Sequence, residues 1–589
     1  MAWNEAYEAT ASLENRAFPT DLFFIPDTRV GTINVSGLSS FGPDTQSPTF
    51  VNLKSLQIID NLTWTRGSHT IKAGISDTHY MNDQDSSFDF GGLYSFTSVD
   101  NFVLNRPGTF EGQAPGSTTA RRWRQDLIGL YAQDDWSTTR NLTLNGGVRY
   151  EFITQPHELD GRSSALPDLQ STAFVTGGDL FKNPSFTNVA PRGGFAWNIT
   201  GDGRNVVHGG AGMFFEPILS NIYRAYGNRT PPFYNSINPS NPPFPTPPTA
   251  GGSSLLRLDL VDYNLKNPYR VQYNASFQRE LWGHTVATLG YIGARGYNQI
   301  RNIEYNQAVP IINADGSLFF PVGATRRNPA FNSMRVRTSD GHSWYNGFVA
   351  GVNRRFANGA SVQASYTLGK SKDDGSQAVG SGDFANSFQP PYGQIPSLNN
   401  GLSDFDIRHN FTANATWELP FGKESKGVVR GLVAGWQLSG IFTAHSGVPF
   451  TPVLGFDRAR ALPRSGGAGQ WPDLVPGCSS NPVLGDPNHY FDVNCFAIPA
   501  AGTLGNLGRN TVIGPGFATL DAALFKNISL GGTRRLQLRI EGFNVTNHAN
   551  FGLPSATVFN SSGAVATAGQ ITSIVGTARQ FQLGGKITF

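Results

Sequence analysis

The sequence predicts an all-β chain, and three observations carry that prediction. Apolar and polar residues alternate along about fifteen short runs, the runs come in pairs around brief turns, and long polar connections separate the pairs. A period of two places successive side chains on opposite faces of a strand. No stretch approaches the roughly 18 apolar residues that a transmembrane helix needs. A membrane-spanning chain of this kind has to close as a transmembrane antiparallel up-and-down β-barrel, because lipid leaves no partner for an open backbone. Strict alternation of short turns with long loops fits that class, with short periplasmic turns and long external loops. In a compact soluble domain, loops of this length would count against the strands themselves.

Composition agrees. Of 589 residues, 15% are charged, against roughly 25% in soluble domains. The net charge of +3 gives no case for nucleic acid. Residues 1–50 show no clear period and are assigned to an irregular segment, a loop or strand remnant of an earlier part of the barrel; 51–589 are assigned to the barrel. The first hairpin joins Leu56–Trp64 to Thr70–Tyr80 through Arg66-Gly-Ser-His69. Others follow at 126–152, 190–215, 269–294, 345–370, 407–444 and 516–546, and 579–589 closes the series. The connections are 81–125, 153–187, 216–268, 299–343, 371–404, 445–515 and 547–578. Aromatics near strand ends (Trp64, Trp136, Tyr150, Trp417) are expected either in an interfacial girdle or as ordinary buried aromatics of a sandwich.

The last strand alternates to its final residue. Phe581, Leu583, Gly585, Ile587 and Phe589 share one face, and Gln582, Gly584, Lys586 and Thr588 the other. Gln582, Gly584, Ile587 and Phe589 resemble the C-terminal assembly signal of bacterial outer-membrane β-barrels, which implies recognition by the barrel-assembly machinery. The opening Met1-Ala-Trp-Asn-Glu lacks the basic start and apolar run of a signal peptide. With a periplasmic C-terminus, about fifteen strands would begin outside the cell, whereas bacterial single-chain barrels have an even number. The expectation is a C-terminal piece of a longer protein.

Phrases in order along 51–589 strengthen the resemblance: Leu130-Tyr-Ala-Gln-Asp-Asp-Trp136, Leu142-Thr-Leu-Asn-Gly-Gly-Val-Arg-Tyr-Glu151, Ala190-Pro-Arg-Gly-Gly-Phe-Ala-Trp197 and Leu536-Gln-Leu-Arg-Ile-Glu-Gly-Phe-Asn-Val-Thr-Asn547. The chain resembles the barrel of TonB-dependent outer-membrane receptors, in particular the Oar-like branch with a carboxypeptidase-regulatory-like domain. That resemblance implies a 22-stranded barrel in the outer membrane, in contact with lipid and lipopolysaccharide, that takes up an external small ligand, oligosaccharide or peptide. It also implies energy from the TonB complex through a plug and a TonB box, neither of which is recognisable in this sequence. Two other readings are a passive adhesive or ligand-binding barrel and a secreted β-rich glycan-binding protein.

Four groups of candidate site residues follow. Cys478 and Cys495 share the 445–515 connection; a disulfide closing an external loop is expected, against two unrelated thiols or a weak metal pair. Tyr223, Tyr226, Phe233 and Tyr234 flank a Pro-rich run and form a candidate aromatic platform, against an ordinary surface loop. Arg149, Glu151, Arg539 and Glu541 lie on polar strand faces, hence towards a lumen, as structural ion pairs before substrate-specific ones. The acidic pairs Asp83/Asp85 and Asp373/Asp374 lack calcium-loop spacing and read as solvated acids. No His-Glu-x-x-His or Gly-x-Ser-x-Gly occurs, so the chain is expected to be no enzyme and to hold no metal or cofactor.

Overall fold

The computed structural model describes residues 2–9, 23–25, 28–36, 38–45, 49–86, 89–239, 242–247, 255–282, 284–357, 359–376, 390–422, 424–463 and 468–589. Parts of the sequence-assigned turns at Gly283 and Asn358, of the 371–404 connection and of the Pro-rich run lie outside the described residues.

Sixteen antiparallel strands pair in chain order. They are β1 (Ala2–Ala9), β2 (Thr49–Arg66), β3 (His69–Ser86), β4 (Arg121–Ser137), β5 (Leu142–Ile153), β6 (Val189–Asn198), β7 (Asn205–Phe215) and β8 (Tyr269–Glu280). There follow β9 (Thr285–Glu304), β10 (Ser333–Ala357), β11 (Ala360–Asp373), β12 (His409–Glu418), β13 (Trp436–His445), β14 (Phe517–Gly531), β15 (Arg534–Phe543) and β16 (Gln580–Thr588). Each pairs with the next, and β1 and β16 are the edges of the sheet. The sequence-based count of fifteen is therefore corrected. Ala2–Ala9 pairs with Phe50–Gln57 and supplies a strand inside the segment read as irregular. Its sequence, Ala-Trp-Asn-Glu-Ala-Tyr-Glu-Ala, groups apolar and polar residues in twos and carries no period of two, so the partner strand is what reveals it.

The register shows which face meets lipid. Trp64 sits opposite Ile71, Leu62 opposite Ala73, Ala73 opposite Ala132 and Ala132 opposite Val148. The same outward face continues with Leu144 opposite Phe195, Trp197 opposite Val207, Val207 opposite Phe277 and Phe277 opposite Leu289. The large residues of this face are uncovered by protein: Leu62 is 68% exposed, Trp64 50%, Trp197 46% and Leu583 77%. On a soluble protein such a band would be a large apolar patch; here it is the lipid-facing surface. Trp64, Trp136 and Trp417 lie on this face beside short turns, and Trp136 stacks on His69 at 5.3 Å. No helix among the described residues is long and apolar enough to cross a membrane.

The buried core lies elsewhere. Five clusters of buried apolar residues form from the long loops and the outer ends of strands. A transmembrane strand needs about 9–11 residues, but β10 has 25 and β9 has 20. Their outer ends rise into this cap. Register shifts between Gly296 and Arg301, with Asn298 at a φ of 54°, mark where β9 leaves the membrane-spanning sheet. Connection 299–343, expected as loop, is corrected: Ile300–Glu304 and Ser333–Ser343 remain in strands. Both faces are covered along 300–304 and 333–339, so the alternation that identifies a half-buried strand disappears.

Cys478 and Cys495 are bonded, with Cα atoms 5.5 Å apart. Their loop packs on a cluster containing Phe450, Trp471, Tyr490, Phe491 and Phe496. Burial pushes the Tyr490 phenol up to about 12, and its hydroxyl donates to the Ile513 carbonyl at 3.0 Å. A 17-residue separation makes the disulfide worth about 3 kcal/mol in chain-entropy terms. Replacing both cysteines by Ser should speed proteolysis within 479–494 while the barrel keeps its resistance to cold SDS. Unchanged cleavage would show that the aromatic cluster alone holds the loop.

Candidate functional site

The polar face of β3 to β8 contains a hollow of about 550 Å³. Two adjacent rows across the ladder create it. One runs Asp135, Asn145, Gly194, Gly210, Asn274, and the other runs Gln133, Gly147, Arg192, Gly212, Gln272. Four of these ten positions are glycine, so the strand backbones themselves form the floor. A Cβ on Gly147 would lie 2.7 Å from Gln133 Cβ, and one on Gly194 would lie 2.9 Å from the Gly209 carbonyl. Gly147 and Gly194 are therefore steric requirements of this wall.

The hollow is cationic. Lys72, Arg149 and Arg192 line it, with Asp135 as the acidic member. Lys72 Nζ donates to Asp135 at 2.8 Å, and Asn145 Nδ2 donates to the same carboxylate at 2.7 Å. Arg149 Nε donates to Glu151 at 2.8 Å. Arg192 lies over the Phe214 ring at 4.3 Å, and Arg270 approaches the same ring at 5.6 Å. Two guanidinium groups thus share one aromatic ring and keep N–H groups available for a negatively charged guest.

A family model described as outer membrane beta barrel domain matches residues 3–582. The chain belongs to that family. It is a β-barrel of the bacterial outer membrane, its apolar face in lipid and its polar face lining the lumen. Among solved structures, the outer membrane transporter YddB from Escherichia coli is similar in fold, with a TM-score of 0.52 and 11% identity, over 94% of this chain and 57% of YddB. The ferric citrate transporter FecA is similar at 0.42 and 12% identity, over 92% of this chain and 55% of FecA. The siderophore receptor PirA from Acinetobacter baumannii is similar at 0.45 and 9% identity, over 92% of this chain and 56% of PirA. The chain thus spans little more than half the length of these proteins. A search of curated proteins gives no significant match.

Arg149, within the hollow, and Glu151, beside it, lie on the polar face of β5. Arg539 and Glu541 lie on the same inner face of β15, 3.9 Å apart. Gln582 pairs across the sheet with Glu541, and Gly584 with Arg539. A Cβ on Gly584 would meet Arg539 Cγ at 2.9 Å, so the glycine makes room for that side chain. Ile587 sits opposite Leu536 on the lipid face, and Phe589 ends the chain 85% exposed.

Two expectations are corrected. Tyr223, Tyr226 and Tyr234 are 1%, 2% and 6% exposed, and half-buried Phe233 lies under Arg121 at 5.4 Å. They form no open platform. Helix α1 (Ser220–Asn228) turns Ile222, Tyr223 and Tyr226 into a core with Trp123 and Phe181. Tyr223 donates to Gln125 at 3.1 Å, and burial raises its phenol well above the usual range. The acidic pairs are not free in solvent either. Asp373 and Asp374 are 5% and 4% exposed. Arg509 bonds Asp373, and its Nη1 reaches Asp404 at 3.2 Å. Arg124 donates to Asp83 at 2.8 Å, and Thr119 donates to Asp85. Long sequence separations hide these partners.

Sequence reasoning missed Arg192, Phe214, Lys72 and the glycine floor. A signal existed: Gly194, Gly210 and Gly212 fall on polar-face positions, where ordinary lumen walls carry side chains.

Proposed function

We propose that this outer-membrane barrel is the body of a TonB-dependent uptake receptor for an anionic external ligand. In this reading the chain is the barrel portion of a longer protein, and energy reaches it through a plug and TonB box. The cationic, glycine-floored hollow in the lumen wall is the observation that carries the proposal. A passive adhesin needs an outer surface but has no use for a recessed cationic lumen. The folded cap above the barrel supports the same reading, because it shapes the external entrance.

The test uses cells carrying the intact gene, with and without a working TonB, and follows depletion of anionic solutes from the medium. Depletion that requires both the gene and TonB is expected, with Arg192→Gln lowering the initial rate about tenfold. Depletion that needs the gene but not TonB would make the protein a passive barrel. Depletion indifferent to the gene would sink uptake altogether, and an unaltered rate in Arg192→Gln would remove the hollow from it.

A further inference from the structure

A second recess lies above the hollow, where the outer ends of β7, β9, β10 and β11 meet the cap. It has a volume of about 170 Å³, and Glu216, Ile218, Ile222, Ile300, Asp373 and Phe405 are among its lining residues. Ser343 and Asp373 pair across β10 and β11 on the polar face and both line it, so the recess faces the lumen. Pockets that enclose a whole small ligand measure about 300–1,000 Å³. A recess of this size takes one apolar branch of a guest.

Its walls are apolar, and one of its two charges has no counter-ion. Ile218, Ile222 and Ile300 are the edge of the core that contains Trp123 and Phe181. Asp373 is satisfied: Arg509 bonds it, and Ser376 Oγ donates to it at 2.7 Å. Glu216 is exposed, and its carboxylate has neither an ion pair nor a hydrogen bond among the described residues. The ladder still holds its backbone, because the Glu216 N–H donates to the Pro268 carbonyl at 2.8 Å, just beyond the Phe215–Tyr269 pair. Glu216 therefore shares the inner face of β7 with Phe214 and stands about 7 Å further from the periplasm. Phe214 is the ring that Arg192 and Arg270 share. One strand face thus presents two guanidinium groups and then, two residues on, a lone carboxylate beside an apolar recess. Opposite charges that the sheet holds apart suit a guest that carries both.

We infer that this wall binds an amphoteric guest. Its acid group lies on Arg192 and Arg270, its ammonium group on Glu216, and the apolar substituent next to the ammonium fills the recess. The acid-binding end rests on the uptake reading above, and the Glu216 end adds a site and a chemical class to it. The apolar walls exclude water around Glu216, where a charge-assisted hydrogen bond is roughly twice as strong as a neutral one. A guest with acid groups alone would leave Glu216 unpaired and be repelled by it.

Equilibrium dialysis of the full chain in detergent tests this without TonB or transport. The probes are leucylglycine, its N-acetyl form and its C-terminal amide; extended, the first holds amine and carboxylate about 7 Å apart. Leucylglycine should bind about tenfold more tightly than either blocked form. E216Q should lower its affinity about fivefold and leave the N-acetyl form unchanged, with cold-SDS resistance confirming a folded barrel. Equal binding of leucylglycine and its N-acetyl form, or unchanged binding in folded E216Q, would overturn the Glu216 site and leave uptake of an anion standing. No binding of any probe would overturn the amphoteric guest outright, whereas TonB-dependent depletion is read separately. Should E216Q not fold, the N-acetyl comparison on the native chain decides by itself.

Discussion

Replacing Arg509 by Met loosens the outer cap by about 3–5 kcal/mol and leaves the membrane-spanning sheet intact. Arg509 is 8% exposed and lies between Asp373, at the end of β11, and Asp404. Its Nη2 also donates to the Asp373 carbonyl at 2.8 Å. Asn510 next to it donates to Asp404 and to the Leu402 carbonyl, both at 2.7 Å. One residue pair thus ties the loop after β13 to the loop after β11. Removing the guanidinium leaves two buried carboxylates without their cation, and an uncompensated buried charge costs far more than the pair contributed. The measurement is limited proteolysis of the cap together with gel mobility before and after heating. Rapid cleavage within 446–516, with a barrel that still resists cold SDS, is the expected pattern. Adding Asp373→Asn and Asp404→Asn should restore much of the protection, because the neutral amides no longer need a cation. Absence of rescue would mean that Arg509 acts by packing rather than by charge.

Deleting Phe589 should reduce folded barrel in the outer membrane at least fivefold. The ring is 85% exposed to what the fold presents as lipid, and it follows a strand whose outward residues are Phe581, Leu583, Gly585 and Ile587. Its transfer to the bilayer is worth about 1.5–3 kcal/mol. We propose a larger effect through assembly, because the terminal aromatic is part of the sequence that the insertion machinery would grip. Phe589→Trp should retain most of the folded protein, and Phe589→Asp should behave like the deletion. The heat-modifiable fraction in isolated outer membranes is the readout. A deletion that inserts as well as the native chain would confine Phe589 to contact with lipid.

The membrane-spanning part was legible because one face of each strand meets lipid and the other meets water. Leu142 to Phe152 alternates for that reason alone, and the polar positions Arg149 and Glu151 follow from counting by two. Above the membrane the same counting failed. Ser333–Ser339 and Ile300–Glu304 are strand segments covered on both faces, and Arg301 and Arg337 are each 1% exposed within them. Covered strands carry no alternation to read. Tyr223 and Tyr226 looked like surface aromatics because nothing local says that Trp123 and Phe181 lie against them.

By itself, then, the sequence determined strand order, the lipid-facing row, the lumen-facing charges and the closing strand, since each depends on residues at most a hairpin apart. Tertiary structure alone decided the rest: the strand Ala2–Ala9 beside Phe50–Gln57, the glycine-floored hollow and the buried Arg509 network. The first needs a partner some fifty residues away, and the others bring together residues from three or more strands or loops. Their physical basis is the placement of one backbone against another, a property that no single segment of the chain contains.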